Sequence, residues 1–127
     1  LRATFDATGG KTKDSDYGYL ESRWHFSVIT RAYYEVITTF QSATDACTIA
    51  ISIPTDDVAG VVAAAAISAV GDIWDAPGYY ECIQDGTAAE FSEKTTAERE
   101  ITVTLAATED LTAGVFVLFC EYVVTEA

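Results

Sequence analysis

Methionine and asparagine are absent from this 127-residue chain, histidine occurs once, and cysteine only three times. Without asparagine there is no N-linked glycosylation sequon. Three cysteines with no C-x-x-C pattern exclude a disulfide-stapled mini-domain and match a closed zinc site poorly. Cations are scarce as well: 7 Lys and Arg stand against 20 Asp and Glu, for a net charge of −13. Nucleic acid and anionic membranes select for Lys and Arg, so neither is expected as a partner. No apolar run approaches the ~18–20 residues that span a bilayer. The sequence opens on Leu1 rather than Met, so an upstream piece is expected to have been removed or not represented.

What is present is a single domain's worth of apolar chain. Half the residues are hydrophobic and 12% are aromatic, enough for a packed core. The charge is uneven. Residues 1–31 hold five cations and four acids, whereas the remainder holds only Lys94 and Arg99 against 16 acids. A near-neutral N-terminal segment is thus joined to an acidic body, and either serves as an ordinary first strand or lies on the body of a neighbouring copy.

Period-two alternation is the dominant pattern. Leu1, Ala3 and Phe5 alternate with Arg2 and Thr4 in a short strand, followed by ATGGKTKDSDYG (residues 7–18), which reads as a polar linker. Residues 1–23 are therefore expected to form an arm and 24–127 the folded domain. From Trp24 to Phe40 the chain is rich in β-branched and aromatic residues, with a break expected near Thr30-Arg31. Ala32, Tyr34, Val36 and Phe40 form its inner set. Cys47, Ile49, Ile51 and Ile53 form another, as do Ile101, Val103 and Leu105. Asp56-Asp57 followed by VAGVVAAAAISAV is the one candidate helix, although Gly60 and the valines also fit a crossing loop. Gly71 to Gly86 reads as a long surface connection, and a strand is weakly signalled over 88–92. Residues 115–124, VFVLFCEYVV, are apolar on both faces except at Glu121, which places them centrally or at a subunit interface. Seven or eight strands with at most one short helix predict an all-β fold, a β-sandwich of jelly-roll or Greek-key type.

Reaction chemistry is not signalled. His25, the sole histidine, sits between Trp24 and Phe26 without a nucleophile motif, so local packing is the simpler reading. Cys47, Cys82 and Cys120 read best as free, core-like thiols, with one disulfide plus a leftover thiol as the alternative. The acids Asp56, Asp57, Asp72, Asp75, Glu109 and Asp110 read as turn and cap residues. Calcium at the first four is the alternative, although no EF-hand spacing is present. No cofactor or metal is expected.

Three segments taken together carry a family resemblance: VITRAYYEVITTFQSATDACTIAISIPTDD (28–57), EKTTAEREITVTL (93–105) and DLTAGVFVLFCEYVV (110–124). They resemble a family of small bacteriophage virion structural proteins. The resemblance implies a capsid decoration, cement or fibre-like β-sandwich subunit, without catalytic residues. It further implies partners that are copies of itself or a capsid shell protein, and a virion or extracellular location. A related extracellular filament subunit belongs to the same expectation. The residues expected to carry assembly are Leu1, Ala3 and Phe5 on the arm and Val115, Val117 and Phe119 on the last strand. A rival reading is a carbohydrate- or ligand-binding module, with Trp74, Tyr79 and Tyr80 stacking on sugar from one loop. Packing of those rings over the end of the sandwich is its simpler counterpart.

Overall fold

A computed structural model describes residues 2–11, 15–18, 27–53, 57–68, 73–82, 93–94, 101–106 and 109–124. Leu1, His25, Asp56, Asp72 and the expected strand over 88–92 lie outside the described residues. Among the described residues there are nine strands: β1 (Arg2–Asp6), β2 (Ser15–Gly18), β3 (Ser27–Ser42), β4 (Thr48–Ile53), β5 (Asp57–Ala66), β6 (Gly78–Glu81), β7 (Glu93–Lys94), β8 (Thr102–Ala106) and β9 (Leu111–Val124). They form two antiparallel sheets. The first has the order β1-β9-β3-β6, with β7 also on β3, and the second β2-β8-β4-β5. The fold is an all-β sandwich, as the alternation predicts.

The core lies between the sheets, and the inner sets expected from the sequence fill it. Ile49, Ile51, Ile53, Leu105 and Phe40 are fully buried, and Ala32, Tyr34, Val36, Ile101 and Val103 nearly so. Phe116 is the aromatic hub. Its ring lies 5.3 Å from Phe5, 5.9 Å from Phe40 and 5.3 Å from Trp74, while Tyr34 meets it edge-on at 6.3 Å. Burying rings of this size supplies a large part of the apolar driving force for folding.

Four local expectations are corrected. The candidate helix after Asp56-Asp57 is an edge strand over its described part, β5, paired with β4. Pairing and the burial of Val61 and Val62 override the helix propensity of the alanine run. The break expected near Thr30 is a register shift between Ile29 and Arg31 within one sixteen-residue strand, which is how a sheet absorbs an extra residue. The surface connection expected over Gly71 to Gly86 supplies strand β6, and its Trp74 is wholly buried, in line with the simpler, packed reading of that ring. The segment read as a linker supplies β2 and a bridge from Lys11 to Leu111.

Of the two dockings the sequence leaves open for the first strand, the single chain adopts the one on its own body. β1 pairs antiparallel with β9, from Arg2 opposite Phe119 to Asp6 opposite Val115. It inserts Phe5, which is stacked on Phe40 and Phe116. β9 therefore has a strand on both sides across Val115–Phe119.

Gly114 makes this packing possible. Its φ of 132° suits glycine, and a Cβ there would overlap the Phe40 ring. Phe40 is completely buried and has no room to withdraw. Gly114→Ala is expected to cost about 3–5 kcal/mol, the sum of overpacking and backbone strain, measured by urea unfolding. Adding Phe40→Leu should recover part of that loss.

Candidate functional site

The outward face of the first sheet is where β9 shows its second apolar side. Along β9, Phe116, Leu118 and Cys120 point into the core, while Val115, Val117 and Phe119 alternate to the outside. Register brings neighbours to them in rows. One row runs Arg2, Phe119, Tyr33, Glu81, and the next Thr4, Val117, Glu35, Tyr79. Glu121 lies opposite Arg31 beyond the first row.

Three rings pack together on this face. Tyr33 lies 5.2 Å from Phe119 and 5.4 Å from Tyr79, and Tyr79 lies 6.2 Å from Phe119. The Arg31 guanidinium sits 4.8 Å from the Tyr33 ring centroid and pairs with Glu81 Oε1 at 2.7 Å. Such an exposed ion pair adds little stability, but it fixes Arg31 over the ring. Val117 is only 1% exposed although it belongs to the outer row and not to the core. Tyr79 and Ile37 remain more than half exposed.

The rings expected to stack on a ligand are not brought together. Trp74 is buried against Tyr34 at 4.7 Å, and its indole Nε1 has no acceptor among the described residues. Tyr80 packs on Tyr34 at 5.2 Å and donates its hydroxyl to the Ala76 carbonyl. Tyr79 alone of the three faces solvent, because neighbouring strand residues point to opposite sides. Of the assembly residues, Ala3 and Phe5 point inward on β1, and Val115, Val117 and Phe119 point outward on β9. Sequence alone did not single out Tyr33, Arg31 or Glu81 as their neighbours. The alternation of Arg31, Tyr33 and Glu35 already puts Tyr33 on an outward face, yet nothing local says that β3 lies beside β9.

A cleft of about 320 Å³ opens beside β5 and β6, lined by Tyr34, Val62, Ala63, Ala64, Ala65, Ile73, Glu81 and Cys82. Burial pushes the Cys82 thiol well above its usual range, so it stays protonated, and the Glu81 carboxylate is engaged by Arg31. None of the three cysteines is in a disulfide. Burial pushes Cys120 up to about 12. Cys82 and Cys120 flank Ala32 from opposite sides. That separation of two strands, roughly 9–10 Å, exceeds the ~7 Å reach of a disulfide. Among the described residues, no group of three or more His, Cys, Asp or Glu is placed to hold a metal, and no helix is long and apolar enough to cross a membrane.

Glu109 is a structural clamp at the end of the sandwich. Its Oε1 accepts from Ala46 N at 2.6 Å, Ser42 Oγ at 2.9 Å and Thr44 Oγ1 at 2.9 Å, and its Oε2 accepts from Thr44 N at 2.8 Å. This ties the β3–β4 loop to the β8–β9 turn, the turn role expected of this acid.

No family model matches the chain, and no curated protein matches it. Among solved structures it is similar to a chain of the acidic stable capsid structure of Helicobacter pylori bacteriophage KHP30, with a TM-score of 0.54 and 10% identity over 96% of this chain and 89% of that chain. The likeness is one of fold. It spans both sheets, so the whole sandwich has a counterpart in a phage capsid structure.

The Glu109 clamp has a defined pH signature. The hydrogen bonds, led by that from Ala46 N, hold its carboxyl down to about 2, from an ordinary 4.5. A depressed carboxyl stabilises the fold above its unfolded pKa and loses that contribution as pH falls toward its folded pKa. Glu109→Gln should lower the melting temperature by a few degrees at neutral pH. The gap from the native chain should stay constant down to about pH 4.5 and close between there and about pH 2.

Proposed function

We propose that this chain is a non-enzymatic structural subunit of a phage particle, assembling with copies of itself or with shell proteins through β-strand contacts. Three observations support the reading. The fold resembles that of a chain in a phage capsid structure over nearly its full length. The strand order β1-β9-β3-β6 over β2-β8-β4-β5 has the connectivity of a jelly roll, an architecture used in viral capsids. The observation that carries most weight is the docking of β1.

β1 is a five-residue edge strand whose single deeply buried side chain is Phe5. Ala3 sits over a small void shared with Ile101, Val103, Phe116 and Leu118. The strand is followed by a turn through Gly9 and Gly10, both at positive φ. A short strand with one plug and a glycine turn can leave its groove and enter the identical groove of a neighbour. The same backbone bonds and the same Phe5 contacts re-form there, so the exchange costs little beyond association entropy. On this reading Ala3 and Phe5 are the donated residues, and Val115, Val117 and Phe119 belong to the receiving edge. A particle surface, or a related extracellular filament, is the corresponding location.

The test locks the strand in place. Asp6 and Val115 are register partners, at a spacing that a cross-strand disulfide can bridge. Asp6→Cys with Val115→Cys, when oxidised, should leave the fold intact and block growth into large assemblies, as followed by sedimentation and electron imaging. Reduction should restore it. Assembly of the oxidised chain at the native level would remove strand exchange. A native chain that stays monomeric at high concentration would remove the subunit reading itself.

A further inference from the structure

The outer face of the first sheet is chemically palindromic. Its central row begins with a cation, Arg2, passes through two rings, Phe119 and Tyr33, and ends with an acid, Glu81. In the row beyond, Glu121 on β9 stands opposite Arg31 on β3. We infer that this face meets the same face of a second copy about a two-fold axis that runs along the strands between β9 and β3. The inference rests on the reading of the chain as a self-assembling subunit and adds a contact that strand exchange does not supply.

A two-fold in that direction reverses each row onto itself. Arg2 then faces the second copy's Glu81, and Phe119 faces the second copy's Tyr33. Glu121 faces the second copy's Arg31, and each of these pairings occurs twice, as in any isologous interface. Sheets stacked face to face pack about 10 Å apart with strand directions within about 30°, a rotation that long Arg and Glu side chains can follow.

Charge decides for a second copy as the occupant. The chain as a whole carries −13, so two copies repel wherever acidic surface meets acidic surface. On this face the two-fold sets both arginines, Arg2 and Arg31, against acids of the other copy, Glu81 and Glu121, while Glu35 comes opposite Val117 and Asp6 stays at the rim. Its centre of Tyr and Phe with an Arg rim is the composition of an interface core.

Area decides how strong the contact is. Four strands at ~4.8 Å spacing and about seven residues at ~3.4 Å give at most roughly 460 Å² a side, well short of the ~800 Å² per partner of a stable complex. The face contact is therefore weak between two free chains. It becomes firm when other contacts hold many copies together, since each further contact is then intramolecular.

Sedimentation equilibrium tests this with charge exchange between copies. With strand exchange blocked by the oxidised Asp6→Cys, Val115→Cys lock, the chain should show a weight-average mass rising above 13.6 kDa with concentration. In that locked chain, Arg2→Glu alone and Glu81→Arg alone should stay monomeric, because each sets like charges opposite one another twice. An equal mixture of the two should regain association, because every pair is then opposite in sign. Both positions are exposed, so the variants should keep the native circular dichroism. Native-like association of either variant alone, or a mixture that does not recover, would overturn the face pairing. Association unchanged by Tyr79→Ser with Phe119→Ser would do the same, as would a sugar ligand held by these rings without self-association. The oxidised Asp6→Cys, Val115→Cys chain separates the two contacts. It should still pair through this face when exchange is blocked, and loss of face pairing with exchange retained would leave the subunit reading standing.

Discussion

Strand β9 must satisfy two environments at once, and the rest of the sandwich is arranged around that constraint. Its inward residues, Phe116, Leu118 and Cys120, are nearly inaccessible to solvent. Its outward residues, Val115, Val117 and Phe119, form the middle of the opposite face. A strand apolar on both sides is stable only with cover on both. Inside, the second sheet and the Phe5, Phe40 and Trp74 rings give that cover. Outside, the chain supplies part of it with its own Tyr33, Tyr79 and Glu35, enough to bury Val117 but not Tyr79. The glycine at 114 serves the same end. It lets Phe40 lie against the β9 backbone, and so lets the aromatic cluster close around Phe116.

Much of this was legible in the sequence, for a physical reason. Where one side of a strand is buried and the other is not, period two is imposed on the residues. The sets at 47–53, 101–105 and 32–40 accordingly point inward as the alternation says. Failures fall where another force overrides local preference. Alanine favours helix, so Ala63–Ala66 invites that reading, but hydrogen bonding to β4 and the burial of Val61 and Val62 outweigh a few tenths of a kcal/mol per residue. Ser15–Gly18 has no apolar period, because its place comes from the backbone of β8 and not from its own side chains. Trp74 lies among turn residues, which foretell the path of a connection and not its depth.

The outer face was the least legible part. Tyr33 and Phe119 are separated by most of the chain, and only the pairing of β3 with β9 makes them neighbours. The residues themselves carried a partial signal. Arg31, Tyr33 and Glu35 alternate as one face, and Val115, Val117 and Phe119 as another, so each strand announces an outward side of unusual character. What sequence could not supply was the register, and with it the order cation, ring, ring, acid across four strands.

The two modes of association proposed above rest on two different kinds of incompleteness, and they complement each other. The β1 groove holds its strand by backbone bonds and one buried ring, which on the proposed reading a strand from another copy would satisfy equally well. It fixes connectivity but leaves the angle between neighbours to the Gly9-Gly10 turn. The outer face has too little area to hold two chains alone, yet its alternating charges favour one orientation over its reverse. A strong but loosely oriented link and a weak but oriented one make a workable pair. The first raises the local concentration of the second, and the second selects the geometry that the first permits. Such a division would suit an acidic chain, because at −13 two copies repel at approaches where acid meets acid and are drawn together where arginine meets acid. On that reading the sparse cations are the directional element, and both arginines among the described residues, Arg2 and Arg31, lie on the face where the Tyr79 ring is left uncovered.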